Sequence, residues 1–385
     1  MLEKRGEEMG EFLSSEEEKQ AALAFEQGKA VANLEYARRV NKQSPPYDQM
    51  GEEVVTEVEL SGIYRESSIA QKIAKRQSMG SKPVALFTDI DNTFYRRDMV
   101  EPMRKLNQVL QRNEWGLIYV TGRDLAMVRQ SEELPQADIV VGAVGTEIYV
   151  QKEGSYVIDE EFRQLLQTNW SRDEVYQVAQ KIVAEHPEII FQSRDEPGAF
   201  ESGKVKEPPQ EFKISLNVTG DRALAVKTSR LLESEIKGAQ VILSADIDDP
   251  QKHNIDLLPP NAGKGMALRY LTEKLGIRGV AAGDSGNDLT MLIEGGHPAI
   301  VVGGAREELR TAVMGFEDTP SFNSKVKKLP NSQKILIGQD KIEEATQGLI
   351  HALQQGDFNP EDALGLLPHF TSYRGRRDEN CLLFF

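Results

Sequence analysis

The sequence lacks paired cysteines, clustered histidines and long apolar runs. Its 385 residues include one cysteine, Cys381, so no disulfide can form within the chain. A single cysteine fits a reducing compartment, and we expect a cytoplasmic protein. The longest apolar runs are shorter than the about 18 residues of a membrane helix, so we expect no membrane span. The acidic segment 1–19 lacks the apolar core of a secretory signal.

Histidine and positive charge are also scarce. The five histidines are scattered without metal-ligand spacing, and we expect them to be structural or exposed. Lysine and arginine total 46 against 61 aspartates and glutamates, which gives a net charge of −15. Nucleic acids and anionic membranes bind basic surfaces, so the composition argues against both as partners. An anionic ligand would need positive charge supplied locally by its site.

Changes in pattern divide the chain into parts. We expect an N-terminal helical or partly disordered extension at 1–81, a core at 82–148 and 252–355, an inserted domain at 149–251, and a C-terminal tail at 356–385. Within the extension, an apolar stripe predicts a helix over 15–39. For residues 54–80, helix and disorder both remain open.

The expected core alternates apolar strands with helices. VALFTDI (84–90), GLIYVTGR (116–123) and ADIVVGAVG (137–145) predict strands, and helices are predicted at 98–113 and 124–134. The same alternation resumes from residue 263. It is typical of an α/β fold with a Rossmann-like parallel sheet that helices cover on both faces. The insertion instead mixes strand-like runs with two long helices, at 172–185 and 221–237, which indicates an α+β domain.

Four polar clusters follow apolar runs of the expected core. They are DIDNT (89–93), TGR (121–123), NAGKG (261–265) and GDSGND (283–288). In open parallel sheets, ligands bind at the carboxyl ends of the strands, so these clusters should meet at one edge. Several carboxylates without histidine or cysteine suit Mg²⁺, while a hydroxyl, glycine amides and a lysine suit phosphate. One aspartate of the DxD pair could then attack phosphorus.

The four clusters, in this order, resemble the motifs of the haloacid dehalogenase superfamily of phosphatases. An insertion between the second and third motifs is the arrangement of members with a type-2 cap. VGTEIYV (144–150), FKISLNV (212–218) and IDLLPPNAGKG (255–265) are similar, more narrowly, to the sucrose-phosphatase branch. The resemblance covers about residues 82–355.

This resemblance implies roles for the charged residues of the motifs. Asp89 would be the nucleophile and a Mg²⁺ ligand. Asp91 would be the general acid and then the base, with its backbone carbonyl on the metal. Lys264 would neutralise the phosphate and Asp89. Asp284 would bind the metal directly, and Asp288 would support the metal and its waters.

The resemblance also implies how the substrate would be held. Thr121 and the amide of Gly122 would bind the phosphate, with support from Asn287. Lys213 and Glu147 would contact the sugar, although Lys213 could be a surface lysine and Glu147 could only cap a hinge. Arg123 has two open interpretations, because it could contact substrate or pair with an acidic neighbour.

The function that follows is a Mg²⁺-dependent phosphatase acting on a phosphorylated sugar or glycoside through an aspartyl-phosphate. One alternative is a sugar phosphomutase of the same superfamily. Another is a non-catalytic binding or regulatory module. In that reading the N-terminal extension would recruit a protein partner.

Overall fold

We analysed the protein in a computed structural model. It describes residues 60, 62–97, 100–246, 249, 251–294, 297, 299–302, 305, 306, 309 and 335–337. The predicted helix over 15–39 and the predicted tail at 356–385 lie outside these residues. Within the described part, no helix combines the length and the apolar character that crossing a membrane requires.

The described chain contains twelve strands and eight α-helices. The strands are β1 Val84–Thr88, β2 Gly116–Val120, β3 Ile139–Gly142, β4 Glu147–Lys152, β5 Ser155–Ile158, β6 Ile189–Phe191, β7 Ile214–Thr219, β8 Gln240–Ala245, β9 Lys252–Leu258, β10 Arg278–Gly283, β11 Ala299–Val301 and β12 Ile335–Ile337. The helices are α1 Ser68–Ser78, α2 Val100–Arg112, α3 Leu125–Gln130, α4 Glu160–Gln167, α5 Arg172–Glu185, α6 Arg222–Glu235, α7 Lys264–Leu275 and α8 Leu289–Glu294.

Eight strands form the larger sheet, in the order β12-β11-β10-β1-β2-β3-β4-β5. The pairs from β12 to β3 are parallel, and β4 and β5 add two antiparallel strands at one edge. Every residue of β1 is buried, and its side chains alternate between two apolar clusters. Phe87 packs in one cluster and Leu86 in the other. A central strand that is apolar on both faces is the mark of a parallel sheet covered on both sides. The α/β prediction is therefore confirmed.

Four antiparallel strands form the smaller sheet, in the order β6-β7-β9-β8. One face is apolar, and residues such as Leu216 pack with residues of α5 and α6 in a third cluster. The other face is polar. On that face Ser215 donates a hydrogen bond to Asp256 at 2.6 Å, and Gln192 donates one to Asn217 at 3.1 Å.

The strands at the borders of the two sheets differ from the expected division. β4 and β5 were expected mainly in the inserted domain but continue the larger sheet, because a tight turn at Glu153 and Gly154, both with positive φ, returns the chain as a hairpin. β9 was expected in the core but pairs with β7 and β8 along its whole length. The division of the chain into domains otherwise stays a prediction.

Part of the expected N-terminal extension packs against the larger sheet. Tyr64, Ile69 and Ile73 are buried in the same apolar cluster as residues of β1 and β2. The Tyr64 hydroxyl donates to the buried carboxylate of Asp159 at 2.5 Å. Residues 62–78 therefore contribute to the core that supports the site.

His297 has a structural role, as expected from the scattered histidines. It is buried, stacks on Phe87 with 5.0 Å between ring centroids, and shares a 2.8 Å hydrogen bond with Thr272 Oγ1. Burial lowers the pKa of His297 to about 4, so the ring is neutral near pH 7.

Candidate active site

The end of β1 places Asp89 beside the start of α7. The Asp89 N–H still donates to the carbonyl of Ala282 in β10, at 3.0 Å, so the strand pairing fixes the residue. Lys264 is the first residue of α7, and its side chain is only 1% exposed. Its Nζ donates to Asp89 Oδ1 at 2.9 Å and to Asp288 Oδ1 at 2.6 Å. The structure thus brings the first and third motifs together in a buried ion pair.

Asp288 organises the loop that follows β10. Its Oδ2 accepts the backbone N–H groups of Asp284, at 3.0 Å, and Ser285, at 3.1 Å. A Cβ on Gly283 would lie 2.5 Å from Asp288 Cβ, so only glycine leaves room for this arrangement. Both oxygens of Asp288 therefore already have partners, and its carboxylate fixes Lys264 and the loop in place.

Three carboxylates converge at this point. Oxygen atoms of Asp89, Asp284 and Asp288 lie within 4.8 Å of one another, and all three residues are buried. Burial raises the pKa of Asp89, which Lys264 only partly offsets, and burial together with Asp89 raises the pKa of Asp284. The pKa of Lys264 is raised, because Asp288 and Asp89 outweigh the effect of its burial. Three buried carboxylates against one ammonium leave an excess of negative charge, so this oxygen-donor set fits Mg²⁺ in charge and in chemistry.

A compact turn after β1 connects the first motif to the fourth. The carbonyl of Ile90 accepts the N–H groups of Phe94, at 3.1 Å, and Tyr95, at 2.8 Å, and Asn92 has a φ of 57°. The turn directs the Thr93 hydroxyl to Asp284 Oδ1, at 3.3 Å. The turn of the first motif thereby contacts the fourth motif through a side-chain hydrogen bond.

Arg123 grips Asp91. Its Nε donates to Asp91 Oδ2 at 2.8 Å, and its Nη2 donates to Asp91 Oδ1 at 2.5 Å. Its Nη1 donates to Ser131 Oγ at 2.7 Å, and this third hydrogen bond further fixes the guanidinium. Of the two interpretations left open by the sequence, the structure has the pairing with an acidic neighbour. A two-point contact of this kind fixes the orientation of a carboxylate more firmly than a lysine would.

The predicted phosphate-binding residues lie on the loops that surround this cluster. Thr121 directly follows β2, is buried, and its Oγ1 accepts the N–H of Arg123 at 3.2 Å. Gly122 is exposed. Asn287 lies in the short 3-10 turn before α8, where its Oδ1 accepts the Ser285 hydroxyl at 3.0 Å. Their roles toward phosphate stay predictions.

The two predicted sugar-contacting residues lie outside the carboxylate cluster. The Lys213 side chain is 12% exposed and its Nζ is 3.5 Å from Asp256 Oδ1, so it is not a free surface lysine. Glu147 begins β4 and accepts the Tyr149 hydroxyl at 3.3 Å. Burial raises the pKa of Glu147, which the Tyr149 hydrogen bond partly offsets.

A turn between β3 and β4 packs closely against the backbone at the start of α7. Ala143, Val144 and Gly145 all have positive φ, which is unfavourable for a β-branched residue such as Val144. A Cβ on Gly145 would lie 2.3 Å from the carbonyl carbon of Gly263 and 2.5 Å from the nitrogen of Lys264. The turn therefore fixes the backbone from which Lys264 projects.

Sequence reasoning missed the contacts that cross between the two sheets. Arg194, in the loop after β6, donates to Asp124 Oδ2 at 2.8 Å, although the sequence indicated only that Asp124 begins a helix. Arg306 donates from its backbone N–H to the carbonyl of Asp284 at 2.8 Å, and from Nη2 to the carbonyl of Asp246 at 3.0 Å. Neither arginine belongs to a motif, so no local signal could have identified them.

Comparison with known proteins places this site in context. A family model described as sucrose-6F-phosphate phosphohydrolase matches residues 82–322. Sucrose-phosphatase 2 of Nicotiana tabacum is 28% identical over 240 residues, which cover 58% of this chain and 51% of that protein. Mannosylfructose-phosphate phosphatase of Agrobacterium fabrum is 27% identical over 217 residues, 55% of this chain and 77% of that protein.

A solved structure is also similar. The sucrose-phosphatase of Synechocystis sp. PCC6803, in complex with sucrose and phosphate, is 25% identical with a TM-score of 0.48, and the match covers 61% of this chain and 87% of that one. This chain spans about half the length of the plant sucrose-phosphatases it matches first.

Proposed function

The chain belongs to the sucrose-6F-phosphate phosphohydrolase family of the haloacid dehalogenase superfamily, and we propose that it is a Mg²⁺-dependent phosphatase of a sugar or glycoside phosphate. One observation carries the proposal. Asp89, Lys264, Asp284 and Asp288 form a buried cluster that combines a nucleophile, a cation and a set of oxygen donors.

Asp89 is the proposed nucleophile. One of its carboxylate oxygens attacks phosphorus, the bond from phosphorus to the sugar oxygen breaks, and an aspartyl-phosphate forms. Lys264 holds Asp89 at 2.9 Å and offers its positive charge to the phosphoryl oxygens. Thr121 and the Gly122 amide orient these oxygens.

Asp91 is the proposed acid and base. It delivers a proton to the departing sugar oxygen, and then takes a proton from the water that attacks phosphorus. The bond between the Asp89 oxygen and phosphorus breaks, which releases inorganic phosphate and restores the Asp89 carboxylate, while the proton taken from water restores the protonated form of Asp91. Arg123 fixes the orientation of the Asp91 carboxylate through its two hydrogen bonds.

Asp89 and Asp284 are the residues that would hold Mg²⁺ through their side chains, with the Asp91 carbonyl as a further oxygen ligand. When bound, the ion would neutralise charge on the phosphoryl group and align it with the nucleophile. Asp288 would support this arrangement by fixing Lys264 and the 283–288 loop.

The substrate class rests on the relatives. Their names describe phosphatases of sucrose phosphate and mannosylfructose phosphate, which are phosphorylated disaccharides. Lys213 and Glu147 are the proposed sugar contacts. A cytoplasmic location and a protein partner for the N-terminal extension stay predictions.

The test is phosphate release by the full chain across a panel of phosphates, with Mg²⁺ and after chelation. The panel contains sucrose 6-phosphate, glucosylglycerol phosphate, mannosyl-phosphoglycerate, trehalose 6-phosphate, hexose phosphates and p-nitrophenyl phosphate. One strongly preferred glycosyl phosphate, hydrolysed only with Mg²⁺, is the expected result. Activation by a sugar bisphosphate with retention of phosphate would instead identify a mutase.

Asp89→Asn provides the matched test of mechanism. We expect it to lower kcat to below about one per cent of wild type, since loss of a covalent nucleophile costs several powers of ten. Asp173→Asn, the same change at an exposed position of α5, should leave kcat unaltered. Turnover by Asp89→Asn above that level, in folded protein, would exclude Asp89 as the nucleophile.

A further inference from the structure

The start of α7 has no side-chain cap of its own. Gly263 precedes Lys264 at the N-cap position, and it has no side chain that could accept a backbone N–H of the first turn. Its φ of 109° is a conformation that glycine adopts readily and that other residues rarely adopt. The backbone from which Lys264 projects must therefore be fixed by contacts from other parts of the molecule.

Two of these contacts come from neighbouring elements of the structure. The Gly263 N–H donates to the carbonyl of Gly145, in the turn between β3 and β4, at 3.3 Å. The side-chain amide of Asn261 donates to the carbonyl of Leu165, on α4, at 2.6 Å. Both contacts use donors of the loop 259–263, and the carbonyl groups of this loop require donors from elsewhere.

Gln240 supplies donors to two of those carbonyl groups. It is the first residue of β8, the edge strand of the smaller sheet, and its pairing with Leu258 of β9 fixes its backbone. Its side-chain Nε2 donates to the carbonyl of Pro260 at 2.6 Å and to that of Ala262 at 3.3 Å. A primary amide has two N–H groups, so one nitrogen can serve both acceptors. The side chain therefore joins the smaller sheet to the loop that leads into Lys264.

We propose that Gln240 is a positioning residue for Lys264, because it holds the loop before α7 and so keeps the lysine in contact with its two carboxylates. Lys264 Nζ lies 2.9 Å from Asp89 Oδ1 and 2.6 Å from Asp288 Oδ1. A shift of the start of α7 would alter both contacts, and a misplacement of about 1 Å can lower a rate about a hundredfold. The proposal rests on the proposed function, since it assigns Gln240 a role in that reaction.

A positioning role and a purely structural role predict different kinetics. If the two hydrogen bonds of Gln240 only stabilised the fold, their loss would lower the free energy of unfolding and leave kcat unaltered in folded protein. If they position Lys264, their loss lowers kcat in folded protein, because the ammonium then stabilises less of the charge that develops on the phosphoryl oxygens. KM should change little, since an interaction made mainly in the transition state affects kcat.

The experiment replaces the amide with a carboxylate of the same shape. Gln240→Glu has no N–H to donate near pH 7, and Gln177→Glu is its matched control, because it makes the same change at an exposed position of α5. Steady-state kinetics of the full chain with Mg²⁺ uses p-nitrophenyl phosphate, and hydrogen–deuterium exchange without substrate follows the backbone amides of residues 259–268. Circular dichroism verifies the fold, and the uncharged Gln240→Met replaces Gln240→Glu if that variant does not fold.

We expect Gln240→Glu to lower kcat about tenfold to a hundredfold, to leave KM within about threefold, and to speed amide exchange in residues 259–268, whereas Gln177→Glu changes none of these quantities. Equal kcat values for the two variants, or unchanged exchange in Gln240→Glu, overturns the positioning role. Faster exchange in Gln240→Glu together with a wild type that releases no phosphate would instead overturn the hydrolase function and leave the contact between Gln240 and the loop before α7 intact.

Discussion

Replacing Gly116 with alanine tests whether residues 62–78 belong to the core. Gly116 begins β2, and a Cβ there would lie 2.5 Å from Ile69 Cδ1 on α1 and 3.1 Å from Ala85 Cβ on β1. Ile69 is 1% exposed, so its side chain could shift only within a packed core. Overpacking of this kind costs about 1–3 kcal/mol. We expect the midpoint of thermal unfolding to fall by about 2–4 °C for each kcal/mol.

A second substitution should relieve the clash. Ile69→Val removes the Cδ1 methyl that Gly116→Ala would strike, and by itself it should cost about 0.5–1.5 kcal/mol. In the double variant the closest contact is gone, although the 3.1 Å approach to Ala85 remains. We therefore expect the double variant to be more stable than the sum of the single losses predicts, by about 1 kcal/mol or more.

The measurement is a double-mutant cycle in which circular dichroism monitors thermal and urea unfolding. Ile73→Val is the matched control, because Ile73 is buried on the same helix but is not among the nearest contacts of Gly116. It should combine additively with Gly116→Ala. If Ile69→Val also combined additively, within about 0.3 kcal/mol, α1 would not pack against β2 and the reasoning would be refuted.

Two further predictions concern single side chains. Burial lowers the pKa of His297 to about 4, so between about pH 6.5 and 4 the unfolded chain binds a proton that the folded chain does not, and stability should fall as pH falls through that window, by at most about 3 kcal/mol. His297→Gln keeps a polar partner for Thr272, and its stability, measured by thermal unfolding, should depend less steeply on pH than that of the wild type. The same pH dependence in both proteins would contradict the buried neutral ring. Arg123→Gln should lower kcat about tenfold to a hundredfold with KM little changed, since it leaves Asp91 without its two-point contact. Arg104→Gln, at an exposed position, is the control and should alter neither constant. Equal kcat values for the two variants would remove Arg123 from the mechanism.

The sequence predicted the elements whose signals are local. The helix expected over 172–185 is found as α5 Arg172–Glu185, where the Ser171 hydroxyl accepts the Glu174 N–H and so caps the first turn. The motifs also converge as expected, because β1 and β10 are parallel neighbours whose carboxyl ends carry Asp89 and Asp284. The family resemblance read from those motifs is confirmed by the family model.

The sequence could not predict features that depend on which sheet a strand joins. The alternating burial of β4 is typical of an antiparallel strand, but the same pattern fits the edge of either sheet. The contact between Asp124 and Arg194 joins residues 70 positions apart and depends on how the two sheets face each other. Likewise, pairing with an acidic neighbour was only one of two chemically reasonable roles for Arg123.

The turn of Ala143, Val144 and Gly145 has a consequence for attempts to change the substrate range. The strand that follows this turn begins with Glu147, a proposed sugar contact, while the turn itself abuts the backbone of Lys264. Insertions, deletions or backbone-altering changes that move Glu147 through this turn would therefore also displace the lysine. A library for new specificity should vary side chains such as Lys213 and Glu147 and keep residues 143–145 constant, so that selection acts on recognition without a loss of turnover in every member.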